Sequence, residues 1–128
     1  MTEIRKSEKT GSHHWIFQRI SAAILIFLVL WFGYSFFTML VDNSYIETFF
    51  SYMTNTVLAI LFICTCLYHG CLGMQTVIED YVSCKTARKT TIAIINVISL
   101  ITAISVVIAI IRLHIILLTA RFGTGWMV

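Results

Sequence analysis

Thr90–Ile111 reads TTIAIINVISLITAISVVIAII and holds no Asp, Glu, Lys or Arg. A helix crossing hydrocarbon needs roughly 20 apolar residues, so this stretch is long enough to span a bilayer once. Two more stretches share its character, Ile20–Val41 and Phe49–Ile78. Proline is absent, which leaves each helix free to close its own backbone hydrogen bonds where no water is available. Single strands are far shorter than these runs. The sequence therefore predicts an all-α membrane protein with three transmembrane helices at about 15–41, 49–80 and 88–118. A polar tail, 1–14, precedes them, and 1–128 forms a single membrane domain.

Composition agrees. Of 128 residues, 59% are hydrophobic and 12% charged, too few charges to cover a soluble domain of this size. A cleaved signal peptide would have an apolar core of about 7–15 residues followed by a small-residue cleavage site. Ile20–Val41 is longer and ends among Trp31, Phe32, Tyr34, Phe36 and Phe37, so it reads as a retained helix. The formal charge of +3 is modest and carries no nucleic-acid footprint. Of the cysteines, Cys64, Cys66 and Cys71 lie within the second apolar run and Cys84 follows it. They form no CxxC pair, and buried packing is the expectation for the first three. No internal repeat, phosphate-binding loop, HExxH or nucleophile elbow occurs.

Lys and Arg near the ends of the spans set orientation. The N-terminal segment has Arg5, Lys6, Lys9 and Arg19, and the second loop has Lys85, Arg88 and Lys89. The first loop, Asp42 to Thr48, has no basic residue, and the far end has Arg112 and Arg121. Seven of the nine basic residues thus fall on one side. The N-terminus and second loop are expected to face the cytoplasm (or a mitochondrial matrix), with the C-terminus opposite. Trp15 suits the headgroup belt, and Arg112 and His114 read as side chains reaching the outer interface.

The second span is the most specific. Alternate steps of four and three residues give Asn55, Ala59, Phe62, Cys66, His69, Gly73, Thr76 and Asp80, a stripe that is small or polar apart from Phe62. Such a seam faces other helices, because small residues allow close approach and polar ones avoid lipid. His69 stands well inside the run with Gly70 and Gly73 nearby, and an ionisable residue at that depth needs a partner or a function. Three readings stay open: axial ligation of a haem iron, a hydrogen bond to a serine or threonine of another helix, or a proton relay. His13, His14 and His114 lie nearer the membrane edges, so a bis-histidine haem would take its second ligand from another chain.

Asp80 lies 11 residues beyond His69, about 16 Å along a helix and on nearly the same face. Tyr81 follows it, and Arg19 enters the membrane from the same side. An Arg, an Asp and a Tyr hydroxyl at one interfacial depth can serve a quinone that takes up protons with its electrons. The plainer reading is a belt tyrosine, an end-of-helix acid and a snorkelling arginine.

Residues 68–82, Tyr-His-Gly-Cys-Leu-Gly-Met-Gln-Thr-Val-Ile-Glu-Asp-Tyr-Val, resemble the central motif of the hydrophobic membrane-anchor subunit of succinate dehydrogenase, the D chain. In that motif a histidine is followed by Gly-Met and then by Asp-Tyr before the second loop. Residues 14–22, with Arg19 followed by small residues, resemble the family's N-terminal signature. The resemblance implies a membrane anchor in a four-subunit complex II with a flavoprotein subunit, an iron–sulfur subunit and a second anchor, the C chain. It further implies a haem b shared between the anchors and a ubiquinone site. By position, His69 is the expected axial haem ligand and Tyr81 the hydrogen-bond donor to quinone, with Asp80 beside it. Arg19 is expected near the haem propionates and quinone pocket. The expected setting is a bacterial cytoplasmic (inner) membrane or a mitochondrial inner membrane. The C chain's own signatures, Ser-Pro-His and His-Arg-x-Thr-Gly, are missing.

Other classes weighed against this are a fumarate reductase anchor, a small transporter or channel subunit, and a cofactor-free assembly protein. No Asp or Glu lies inside the charge-free runs, which disfavours a transporter.

Overall fold

The computed structural model describes the backbone of residues 2–123 and the side chains of residues 15–121. The side chains of His13, His14 and Trp126 lie outside those limits, as does the side-chain character of the 1–14 tail. Four helices follow in order: α1 (Thr2–Val41), α2 (Ser44–Ser51), α3 (Met53–Tyr81) and α4 (Lys85–Gly123). Three of them are long and apolar enough to cross a membrane, over Trp15–Val41, Met53–Tyr81 and Lys85–Arg121. The all-α reading with three spans is therefore what the chain adopts, and no strand occurs among the described residues.

The boundaries differ from expectation in one instructive place. The first loop is mostly helix, and the second span starts at Met53 rather than at 49. Asp42, two residues before α2, ties down its first residue: Oδ1 accepts the Ser44 hydroxyl at 2.6 Å and the Ser44 backbone N–H at 2.9 Å. Those two bonds hold the Asp42 carboxyl below its usual pKa. Tyr52 then leaves the helical region (φ −88°, ψ 122°) and separates α2 from α3. The aromatic-rich 49–52 stretch gives no sign of this break in composition, because hydrophobicity continues straight through it.

Long-range contacts close the break. Phe49 is 1% exposed, with Trp31 at 5.6 Å, Tyr45 at 6.1 Å and Phe50 edge-on at 5.0 Å. His114 of α4 donates from Nδ1 to the Phe50 carbonyl at 2.7 Å and lies 3.2 Å from the Thr56 hydroxyl. That hydroxyl returns to the Tyr52 carbonyl at 3.2 Å. His114 is thus half-buried and staples α4 to the α2–α3 junction, where its position near the span's end predicts only a side chain reaching the outer interface. Arg112 is exposed.

At the opposite end, α3 stops at Tyr81 and α4 begins after three residues. Arg88 sends Nε and Nη2 to the Val82 carbonyl at 3.0 and 2.9 Å, placing a cation at the negative end of α3. Cys84 starts α4, where the backbone N–H groups of Ala87 and Thr86 draw its thiol pKa below the ordinary value.

α3 lies between α1 and α4 and packs on both. Only about a tenth of the residues in the α1 and α3 spans are buried, and fewer in α4 (11%, 11% and 6%). Most of the helical surface therefore faces lipid or another chain. Phe49→Ala should cost about 3 kcal/mol by emptying the aromatic cage, in the range usual for a buried Phe. The loss is read as a lowered unfolding midpoint of the reconstituted protein, and an unchanged midpoint would show that α2 is not held this way.

Candidate functional site

The α3 seam divides: Phe62 and His69 reach α1, Cys66 borders α4, and Thr76 and Asp80 stand exposed. Ala59 is 2% exposed, and Phe62 stacks on Phe32 at 4.7 Å between centroids. Above them His69 reaches Ser21 of α1, with Nδ1 and Oγ 2.9 Å apart. Ser21 is only 4% exposed and donates its own hydroxyl proton to the Gln18 carbonyl at 3.0 Å. These pairings (Phe32 with Phe62, Ser21 with His69) run in opposite senses, so α1 and α3 are antiparallel.

His69 closes an open groove of about 330 Å³ whose other walls are Ala22, Leu25, Ile26, Val29 and Leu30. Nδ1 is taken by Ser21, and no described polar group hydrogen-bonds Nε2. Among the described residues no three His, Cys, Asp or Glu side chains gather into an all-protein metal site. One imidazole against an apolar wall instead suits a group that brings most of its own ligands.

Of the two glycines near His69, Gly73 shares its face at i+4. Gly70 is turned away and lines the α3–α4 groove with Cys66, Met74, Ile95 and Ile98. A Cβ at either would meet nothing within 4 Å, so each leaves open surface instead of easing a close helix contact inside this chain. Cys64 and Cys71 line another α3–α4 groove with Tyr68, Gln75, Asn96 and Ser99. Of the polar residues of α4, Asn96 and Ser99 border that groove, Ser99 and Thr102 border the Gly70 groove, and the Thr102 and Ser105 hydroxyls bond back to the Ile98 and Ile101 carbonyls.

Arg19, Asp80 and Tyr81 are not brought together within this chain. Arg19 is exposed and lies over the Trp15 ring, 5.1 Å from its centroid, a cation–π arrangement. Asp80 is exposed and Tyr81 is 83% exposed in the last turn of α3. The expectation of one shared depth needs correcting for Arg19. It sits two residues, about 3 Å, from Ser21 along α1, while Asp80 sits about 16 Å beyond His69 along α3. The reason is that α1 continues as helix to Thr2, so Arg19 is not at its end. Arg19 therefore stands nearer the level of His69 than that of Asp80.

Ser21 was missed as a site residue by sequence reasoning. Its only trace is the small pair Ser21-Ala22 after Arg19, together with the general expectation that a buried histidine seeks a hydroxyl on another helix.

Fold and hydropathy define an integral membrane protein of three spans with one histidine set into a groove between two of them. The chain matches the family described as succinate dehydrogenase/fumarate reductase transmembrane subunit over residues 3–108. It is 39% identical over 107 residues to the succinate dehydrogenase hydrophobic membrane anchor subunit of Rickettsia bellii, covering 81% of this chain and 84% of that one. The subunits of the same name from Rickettsia felis and Rickettsia prowazekii are 37% and 39% identical over 110 and 103 residues. Those matches cover 84% and 80% of this chain, and 90% and 82% of the relatives. No solved structure matches. The chain belongs to the succinate dehydrogenase/fumarate reductase transmembrane subunit family, and its role is that of a membrane anchor.

Proposed function

We propose that the chain anchors a flavoprotein subunit and an iron–sulfur subunit to a bacterial inner membrane, shares a haem b with a second anchor subunit, and contributes to ubiquinone reduction. The observation that carries this reading is His69, with Nδ1 engaged by Ser21 and Nε2 left on an apolar groove. The residues fit one side of a haem. A neutral imidazole nitrogen is a good axial ligand, and Ala22, Leu25, Ile26, Val29 and Leu30 supply the low-dielectric wall such a group needs. The groove is open, which leaves the opposite ligand and the remaining wall to the second anchor. Bound there, the haem supplies a one-electron redox centre. Arg19, close to the level of His69, is suited to balance propionate charge.

The quinone assignment rests on the end of α3. Glu79 and Asp80 occupy its last turn, the end where the helix dipole disfavours acids, and no basic residue of α3 offsets them there. Arg88 of α4 meets that end and Gln75 Nε2 donates to Glu79 at 3.0 Å, which leaves Asp80 as the carboxylate with no hydrogen bond among the described residues. Tyr81 presents its hydroxyl outward as a donor to a quinone carbonyl, and Asp80 beside it can pass a proton from the aqueous side. The basic residues of the second loop and N-terminal segment support a cytoplasmic setting for this end, where the iron–sulfur subunit would dock.

Three outcomes test these assignments. In the assembled complex, His69→Ala should abolish the reduced-minus-oxidised b-type spectrum; a wild-type spectrum would remove His69 as the ligand. Tyr81→Phe should lower quinone reduction at least tenfold while leaving succinate oxidation by an artificial dye intact. An equal fall in both would place Tyr81 in assembly instead. For orientation, a membrane-impermeant maleimide should label the exposed Cys84 in inverted vesicles and not in right-side-out ones, and the reverse pattern would turn the chain over.

A further inference from the structure

We propose that Ser21 is a positioning residue which fixes the tautomer of His69, holding the proton on Nδ1 and presenting the Nε2 lone pair to the groove. The proposal rests on the reading of His69 as a haem ligand and adds to it the reason why Nε2 is the nitrogen available.

The argument is one of hydrogen-bond accounting. Ser21 has a single proton to give, and at 4% exposure it has neither water nor another described partner beyond the two it touches. That proton goes to the Gln18 carbonyl at 3.0 Å, within its own helix. The Oγ lone pairs are then what faces Nδ1 at 2.9 Å, so the proton in that bond belongs to the imidazole.

The reverse arrangement can be compared directly. If Ser21 donated to Nδ1, the imidazole proton would sit on Nε2 and point at Ala22, Leu25, Ile26, Val29 and Leu30, where no acceptor stands. An N–H facing that apolar groove without an acceptor would cost on the order of 1–3 kcal/mol; the Nδ1–H tautomer instead leaves an Nε2 lone pair there, the lesser demand and one that a bound iron would meet. The preference therefore exists before any ligand arrives. It also orients the ring, because rotation about the Cβ–Cγ bond of His69 would break the one polar contact the side chain makes among the described residues.

A hydroxyl in this position has a second effect. Metal-bound histidines commonly donate their other N–H to a carboxylate or carbonyl, which raises the basicity of the ligating nitrogen. Ser21 Oγ is a neutral acceptor already committed as a donor, so it orients the ring while adding less electron density than a carboxylate would. Removing it should weaken the ligand, favouring the ferrous state and loosening the haem.

The test uses the assembled four-subunit complex in membranes, with haem midpoint potential, ferric electron paramagnetic resonance g values and haem retention against a competing apoprotein as readouts. Ser21→Ala should raise the potential, shift the g values and increase haem loss about tenfold or more. Ser21→Thr, whose Oγ1 can bond the same turn of backbone, should restore all three. If Ser21→Ala does not assemble, Ser21→Cys, whose thiol is a poor acceptor, takes its place in the comparison with Ser21→Thr. The proposal is overturned if the hydroxyl-free variant keeps wild-type values, or if Ser21→Thr behaves like it. Neither result would touch the haem-ligand reading, which stands or falls on the spectrum of His69→Ala.

Discussion

Inside hydrocarbon an imidazole N–H has no water to turn to, and α3 carries one there at His69. The pairing of that nitrogen with Ser21 Oγ at 2.9 Å is the constraint around which the α1–α3 interface is arranged. Serine is short, so the helices must come close at this level, and Ala22 beside it is small enough to permit it. The Phe32–Phe62 stack further along the same seam keeps the register from sliding. Once Ser21 takes one nitrogen, the other is left on the groove, and the proposed redox role follows from that division of the ring.

The same physics governs the opposite end of the bundle by other means. A helix break at Tyr52 frees backbone carbonyls near the membrane boundary, and a distant helix must answer them. His114 does so by donating to Phe50 O, while Thr56 turns its hydroxyl back to Tyr52 O. Phe49 fills the space that the break opens. The two half-buried histidines thus have different duties. One closes an internal gap with its proton, and the other keeps a lone pair facing out.

Much of this was legible in the sequence because hydrocarbon permits few alternatives. Charge-free runs of this length leave only helices, and two members of the stripe from Asn55 to Asp80, Phe62 and His69, are the ones that meet α1. What remained hidden depends on long-range pairing. The break at Tyr52 lies in an apolar, aromatic-rich run that gives no sign of it, so it is defined by the Phe49 cage and by His114 on the Phe50 carbonyl. His114 read as an edge residue because its partner, Phe50 O, is a backbone atom 64 positions away. Arg19 read as level with Asp80 because the helical start of α1 at Thr2 cannot be seen in a polar, glycine-bearing segment. The motif residues themselves, His69, Asp80 and Tyr81, are visible as types at a spacing, but within this chain His69 borders an open groove while Asp80 and Tyr81 stand exposed, so they form no single closed site.

The most direct measurement is a high-resolution density map of the intact complex containing this chain. The account predicts iron bonded to His69 Nε2, the macrocycle against Ala22, Leu25 and Val29, and Ser21 Oγ still within hydrogen-bond distance of Nδ1. A haem bound elsewhere, or iron on Nδ1 with Ser21 displaced, would contradict it.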